Sequence, residues 1–302
     1  MKKLKYLVMA AIAAVVFACG TTRTVPITGR KQNILVSDEQ VLSLSNQEYT
    51  NYMKSAKLST NSANTAMVKR VGQRLATAVE TYLKEHGMAA DAKEYSWEFN
   101  LVQDKSVNAF CMPGGKIVVY EGLLPITQDE ASLAIVLGHE SAHAVAKHSA
   151  EQMSKQIKNQ YGTQILGQVL NAAGVSSSTT QLAQIIAQKG LQFRSLKYSR
   201  DNESEADHMG LIFAAMAGYD PNVAVTFWQR MAQATGSNNQ SDIFSDHPSD
   251  AKRIAAIKQE LPEALTYYKP VKTTTTTKKT TTSTKKKTRT TSKKKKTTTR
   301  RK

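Results

Sequence analysis

The residues best suited to chemistry in this 302-residue sequence stand in Val136-Leu137-Gly138-His139-Glu140-Ser141-Ala142-His143. On a helix, histidines at i and i+4 project the same way and can hold one Zn²⁺, while the glutamate between them reaches a water in an open coordination position and takes its proton. That is half of a hydrolytic site. The residues before and between the histidines are apolar or small, so this face is expected to be buried.

A catalytic zinc generally has three protein ligands, so a third must lie elsewhere. His148 is excluded on helical geometry: five residues advance roughly 500°, leaving it about 140° around the helix from His143. Ser199-Arg200-Asp201-Asn202-Glu203-Ser204-Glu205-Ala206-Asp207 offers more. Glu203 and Asp207 are i, i+4 neighbours, so Glu203 can bind the metal while Asp207 accepts a hydrogen bond from the far nitrogen of a ligand histidine. Glu205 is expected to point elsewhere. Taken alone, the cluster reads equally as a solvated first helical turn complementing the helix dipole.

The elements that must position these residues are mostly helical. Ser37-Asp38-Glu39-Gln40 opens a helical pattern to about Ala56, and Ala66 to about His86 places Val68, Val71, Leu75, Val79 and Leu83 on one stripe before Gly87. Tyr95 to Val102 alternates like a strand and Lys116 to Tyr120 is β-branched, with Pro113-Gly114-Gly115 as the turn between them, which predicts a small antiparallel sheet. Thr127 and Glu130 are spaced as a capping box for a central helix from Leu133 that continues towards Lys158. Further helices are expected over 162–170, 181–193 and 200–216, after Asp220-Pro221, and from about 249 to 260. The fold class is α+β, mostly helical, with the small sheet beside the His-Glu-x-x-His helix.

Composition sets the surroundings. With 40% hydrophobic and 22% charged residues the chain is an ordinary globular mixture, neither wholly disordered nor polytopic in a membrane. Of its 41 basic residues, 14 lie in 272–302 and three are Lys2, Lys3 and Lys5, leaving 24 to balance 24 acidic ones in the body. The net charge of +17 is therefore a property of the ends. Met1–Tyr6 is basic, Leu7–Phe17 apolar, and Val16-Phe17-Ala18-Cys19-Gly20 looks like a bacterial lipoprotein signal, cut before an acylated Cys19. Cys111 then has no partner and reads as a small apolar filler, not a nucleophile. The Thr, Ser, Lys and Arg tail cannot bury enough surface to fold.

The sequence resembles the zinc metallopeptidases that include HtpX and the CAAX prenyl endopeptidases, and within them the periplasmic BepA- and LoiP-like lipoprotein proteases. Five segments carry the likeness: Pro26-Ile27-Thr28-Gly29-Arg30; Asn108-Ala109-Phe110 with Pro113-Gly114-Gly115; the His139-Glu140-x-x-His143 helix; Ser199-Arg200 with Glu203-x-Glu205-Ala206-Asp207; and His247-Pro248 followed by Arg253. No helical-repeat domain follows, which is similar to the stand-alone LoiP-like subgroup. The resemblance implies a gluzincin-type endopeptidase with one zinc per chain, ligands His139, His143 and Glu203, and Glu140 as general base. His247 is expected either to stabilise the oxyanion or to be a reversible fourth ligand, and its bland reading is a loop histidine before proline. Arg253 holds that loop, pairs with Asp207, or is solvated. The strand Lys116–Tyr120 could pair with an extended substrate at a sheet edge, making Asn108, Gly115, Lys116, Ile117 and Val118 the expected substrate-binding residues.

The resulting expectation has four parts: a signal peptide at 1–18, a lipidated Cys19 with a tether to 36, a metallopeptidase domain at 37–265, and a disordered cationic tail at 266–302. The expected role is hydrolysis of misfolded or misassembled envelope proteins by an enzyme anchored facing the periplasm, at the outer membrane. The tail could bind anionic lipid, lipopolysaccharide or cell wall, and export argues against nucleic acid. A latent zinc-bound chaperone-like or envelope-binding lipoprotein is the alternative, though it would have no use for Glu140.

Overall fold

The computed structural model describes residues 21–171, 193, 196–236 and 251–270. Its first element departs from the expected tether. Thr21–Thr24 (β1) and Lys31–Ile34 (β2) form an antiparallel hairpin with Thr24 opposite Lys31. Gly29 (φ 70°) and Ile27 (φ 66°) supply the left-handed turn, and Val25, Ile34 and Val36 are buried in the body. Apolar side chains alternating within a polar stretch were enough to recruit it to the core. The signal segment, Cys19 and the cationic tail lie outside the described residues.

Two helices follow. Asp38–Ser55 (α1) opens with the capping box Ser37–Gln40, and Ser62–Glu85 (α2) is capped by Asn61. Val68, Val71, Leu75, Val79 and Leu83 are all buried, each contributing on the order of 1.5–3 kcal/mol. A Cβ on Gly72 would stand 2.2 Å from the Phe99 ring, so α2 lies flat against the sheet at that point.

The sheet is mixed, not purely antiparallel. Glu98–Val102 (β3), Ala109–Met112 (β4) and Lys116–Tyr120 (β5) are ordered β3-β5-β4, with β3 parallel and β4 antiparallel to β5. Pro113-Gly114-Gly115 turns the chain from β4 into β5, with both glycines at φ 85°. The extra strand carries no polar alternation because both its faces are covered. Phe99, Leu101, Ala109, Cys111, Ile117 and Val119 enter one apolar cluster, and Val102, Phe110, Met112 and Val118 enter a second. Since β5 is central and bonded on both sides, Lys116, Ile117 and Val118 offer no edge to a substrate; Gly115 is the hairpin turn against Trp97, and the Asn108 carbonyl accepts from Tyr120 N. Among the described residues, β4 is the strand with a neighbour on one side only next to the central helix.

That helix, Glu130–Val145 (α3), is capped by Asp129, whose carboxylate accepts from Ser132 N at 2.7 Å. Thr127 instead bonds back to Leu124 O. The helix does not run on to Lys158. It stops at Ala146, and Lys147 takes φ 53° before His148–Asn171 (α4) starts in a new direction. Lys147 Nζ is held by Asp38 (2.9 Å), Glu94 (3.0 Å) and Asp91 (3.3 Å), contacts with distant residues that no local pattern contains.

Arg200–Met216 (α5) begins at a second capping box, Ser199–Asn202, and is followed by Val223–Gly236 (α6) and Ala251–Thr266 (α7). The expected helix at 181–193 and His247 with its loop lie outside the described residues, apart from the buried Phe193. No helix among the described residues is long and apolar enough to cross a membrane.

Candidate metal centre

Two closely packed helices build the site. Helix α3 is buried on nearly every side, including His139, Glu140 and His143, because α2, the sheet and α5 enclose it. Helix α5 crosses α3 where Gly138 meets Gly210. A Cβ on Gly138 would lie 2.6 Å from Gly210 O, and one on Gly210 would lie 2.7 Å from His139 N. Only two glycines let these backbones approach so closely, and the approach delivers the first turn of α5 to the histidines.

The donors converge there. His139 Nε2 lies 3.0 Å from His143 Nε2 and 3.4 Å from Glu203 Oε2, and His143 Nε2 lies 3.3 Å from Glu203 Oε1. Ligands about 2.0–2.2 Å from a tetrahedral zinc sit roughly 3.3–3.6 Å from one another. Two sides of the triangle match and the third falls a few tenths short, so the three buried residues fit one zinc ion. Glu140, one residue past His139, is equally buried, and its charge reaches Cys111 and Tyr198.

Each histidine is also held from behind. His139 Nδ1 donates to Asp207 Oδ1 at 2.9 Å. Arg253, reaching in from α7, grips the same carboxylate with Nε to Oδ2 (2.7 Å) and Nη2 to Oδ1 (2.6 Å), while its guanidinium carbon stacks 3.5 Å over the Trp228 ring. Arg253 is thus buried in the Asp207 pairing, not solvated. Burial opposes a charged Asp207, yet Arg253 and then His139 hold its pKa below the ordinary value. Burial likewise disfavours a charged His139, and the Asp207 and Glu203 carboxylates outweigh it, raising the pKa to about 9 with no ion present. His143 moves the opposite way, because burial outweighs Glu203.

Spacing alone gives no role to Tyr198, His148, Glu205 or Arg30. Tyr198 stacks on His143 with ring centroids 4.1 Å apart, its hydroxyl 2.9 Å from Ser149 Oγ. His148 is no metal ligand, as expected, but the α3–α4 break swings its Nδ1 to 2.9 Å from His143 Nδ1, a contact that a continuous helix would not bring about. Glu205 points away from the metal triangle, as expected, and accepts from His148 Nε2 at 2.9 Å and from Arg30 Nε at 2.8 Å. Arg30 also bonds Glu151 at 3.0 and 2.8 Å. Burial works against both carboxylates, yet Glu151, held chiefly by Arg30, and Glu205, held by His148 and Arg30, have pKa values lowered to about 2. The one available signal was Pro26-Ile27-Thr28-Gly29-Arg30, a segment of the resemblance whose turn residues account for Gly29 but not for Arg30. Cys111 is buried and its thiol pKa is raised, first by burial and then by Glu140.

Known proteins are similar in sequence over this region. Residues 62–261 match peptidase family M48. The chain is 39% identical over 187 residues to the mitochondrial metalloendopeptidase OMA1 of Schizosaccharomyces pombe, covering 62% of this chain and 53% of that protein. It is 31% identical over 244 residues to human OMA1, covering 80% and 46%. The β-barrel assembly-enhancing protease of Escherichia coli O157:H7 is 30% identical over 186 residues, covering 58% and 37%. The chain thus spans about half the length or less of these curated relatives. Its likeness to the mitochondrial proteins is at least as great as that to the bacterial protease, so the expected special closeness to the periplasmic subgroup is not what the comparison displays. With the metal triangle at the α3–α5 crossing lying inside the matched region, the chain belongs to peptidase family M48.

Proposed function

We propose that this chain is a zinc metalloendopeptidase that hydrolyses misfolded or misassembled proteins of the bacterial cell envelope. The observation that carries the reaction is the buried His139–His143–Glu203 triangle with Glu140 one residue from its first ligand. Bound zinc would supply Lewis acidity at the scissile carbonyl and bring the pKa of a coordinated water down to about 7. Glu140 takes the proton from the attacking water and passes it to the leaving amine. Asp207 fixes the tautomer of His139, and Arg253 keeps that carboxylate charged and oriented. A substrate in extended form fits best along β4, which carries Cys111 near Glu140 and adjoins one strand only; main-chain pairing of this kind favours unfolded segments.

The envelope role rests on the relatives and on the two ends of the sequence. Two relatives are named for β-barrel assembly, and residues 1–20 have the pattern of a lipoprotein signal that would anchor the protein through Cys19 facing the periplasm, at the outer membrane. The cationic 272–302 segment would then attach to anionic lipid, lipopolysaccharide or cell wall in a salt-dependent way.

Casein cleavage and zinc content, measured together for the wild type and Glu140→Gln, test the reaction. Zinc in both with cleavage in the wild type alone is the expected result, with a loss on the order of 10²-fold or more. Zinc in both with cleavage in neither would favour a binding role.

A further inference from the structure

The two histidine ligands reach their carboxylates by different routes. His139 Nδ1 meets Asp207 directly, whereas His143 Nδ1 faces Nδ1 of a second imidazole, His148, at 2.9 Å. His148 Nε2 in turn lies 2.9 Å from Glu205 Oε2. Counting protons fixes the tautomers. His143 must present the lone pair of Nε2 to the metal, so its proton sits on Nδ1 and is donated to His148 Nδ1. That nitrogen is then the lone-pair site, and the single proton of His148 sits on Nε2, donated to Glu205.

Glu205 is fixed from its far side by the turn of the β1–β2 hairpin. Thr28 Oγ1 donates to Oε1, Arg30 Nε donates to Oε2 at 2.8 Å, and the remaining guanidinium nitrogens grip Glu151. A simple staple between hairpin and helix needs only the Arg30–Glu151 pair. Burying a second carboxylate under the same guanidinium adds desolvation cost, and what Glu205 gains in exchange is the His148 N–H. Lys147 likewise accepts a left-handed backbone at φ 53°, a conformation disfavoured for lysine, at the step that turns His148 towards His143.

We infer that Arg30, Glu205 and His148 form a positioning relay that sets the tautomer and orientation of ligand His143, making zinc affinity depend on the N-terminal hairpin. The inference rests on the zinc reading of the site. It does not depend on peptide cleavage, so an inactive protein that binds zinc tightly would count against the proposed function and leave the relay standing.

The test is zinc affinity by chelator competition on the whole protein, with melting temperature of the metal-free form recorded for each variant. Glu205→Gln and His148→Gln should weaken zinc 10–100-fold. Glu151→Gln removes a carboxylate from the same arginine while leaving the His148–Glu205 hydrogen bond in place, and should stay within threefold of wild type even where its melting temperature falls as far. Equal zinc affinity in Glu205→Gln and wild type, or an equal loss in Glu151→Gln, would overturn the relay. Should the relay variants not fold, imidazole ¹⁵N shifts of the zinc-loaded wild type decide: His148 protonated on Nε2 alone is expected, and the Nδ1–H tautomer or an imidazolium overturns it.

Discussion

Gly138 on α3 and Gly210 on α5 touch backbone to backbone, so closely that a Cβ on the first would stand 2.6 Å from the carbonyl oxygen of the second. The neighbouring atoms are main chain in both directions and cannot rotate aside. Each glycine sits in a helix interior, where alanine would ordinarily be favoured by roughly 1 kcal/mol.

Gly138→Ala and Gly210→Ala should therefore destabilise the fold although both raise helix propensity. Overpacking of this kind costs about 1–3 kcal/mol. It also pushes α5 away from α3, carrying Glu203 from His139 and His143. The expected outcome is a lower melting temperature together with zinc content well below one per chain. A variant that melts lower but keeps full zinc would show that the crossing serves packing alone.

Arg253 makes a separate prediction. Its guanidinium binds both oxygens of Asp207 and stacks on Trp228, so Arg253→Met leaves a buried carboxylate without its principal cation. Breaking a buried pair from one side costs about 3–5 kcal/mol. Arg253→Lys keeps the charge but loses the planar fork and the stacking. Chemical denaturation should place Lys between wild type and Met, with zinc affinity in the same order. Equal stability of Met and wild type would show the pair to be dispensable.

These cases mark what was legible in the sequence. His139, Glu140, His143, Glu203 and Asp207 follow from i, i+4 geometry inside helices whose bounds are locally encoded, as the Ser199–Asn202 capping box illustrates. Strand β4 escaped because alternation vanishes when both faces are buried. Lys147 broke the central helix beside ion pairs with Asp38, Asp91 and Glu94, and that break put His148 behind His143, a contact a continuous helix would not make, while leaving it off the metal. Arg30 acts on Glu205, 175 positions away, and spacing of that length carries no period from which a contact could be inferred.

Acid stability should report the Arg30 cluster. Glu151 and Glu205 have pKa values lowered from 4.5 to about 2 in the folded protein. Groups depressed on folding add stability that is fully present above the unfolded value and is lost as pH falls towards the folded one. The metal-free protein should thus lose stability steeply between about pH 4.5 and pH 2. Glu151→Gln should lower stability at neutral pH and flatten the slope across that window. An unchanged slope would mean that the carboxylate is not held by Arg30 and Lys155.

Cys111 separates the metal reading from thiol chemistry. It lies on β4 within reach of the Glu140 charge, but its thiol pKa is raised by burial first and then by that charge. A reactive cysteine needs the reverse, a depressed pKa and partial exposure. Cys111→Ala should keep full zinc and nearly full cleavage, at a stability loss of about 1 kcal/mol for the small cavity. The native thiol should react with disulfide reagents far more slowly than free cysteine at pH 8, and should speed up only when denaturant opens the core. Abolished cleavage with zinc retained would instead place the sulfur in the reaction, and would require the edge of β4 to carry the nucleophile.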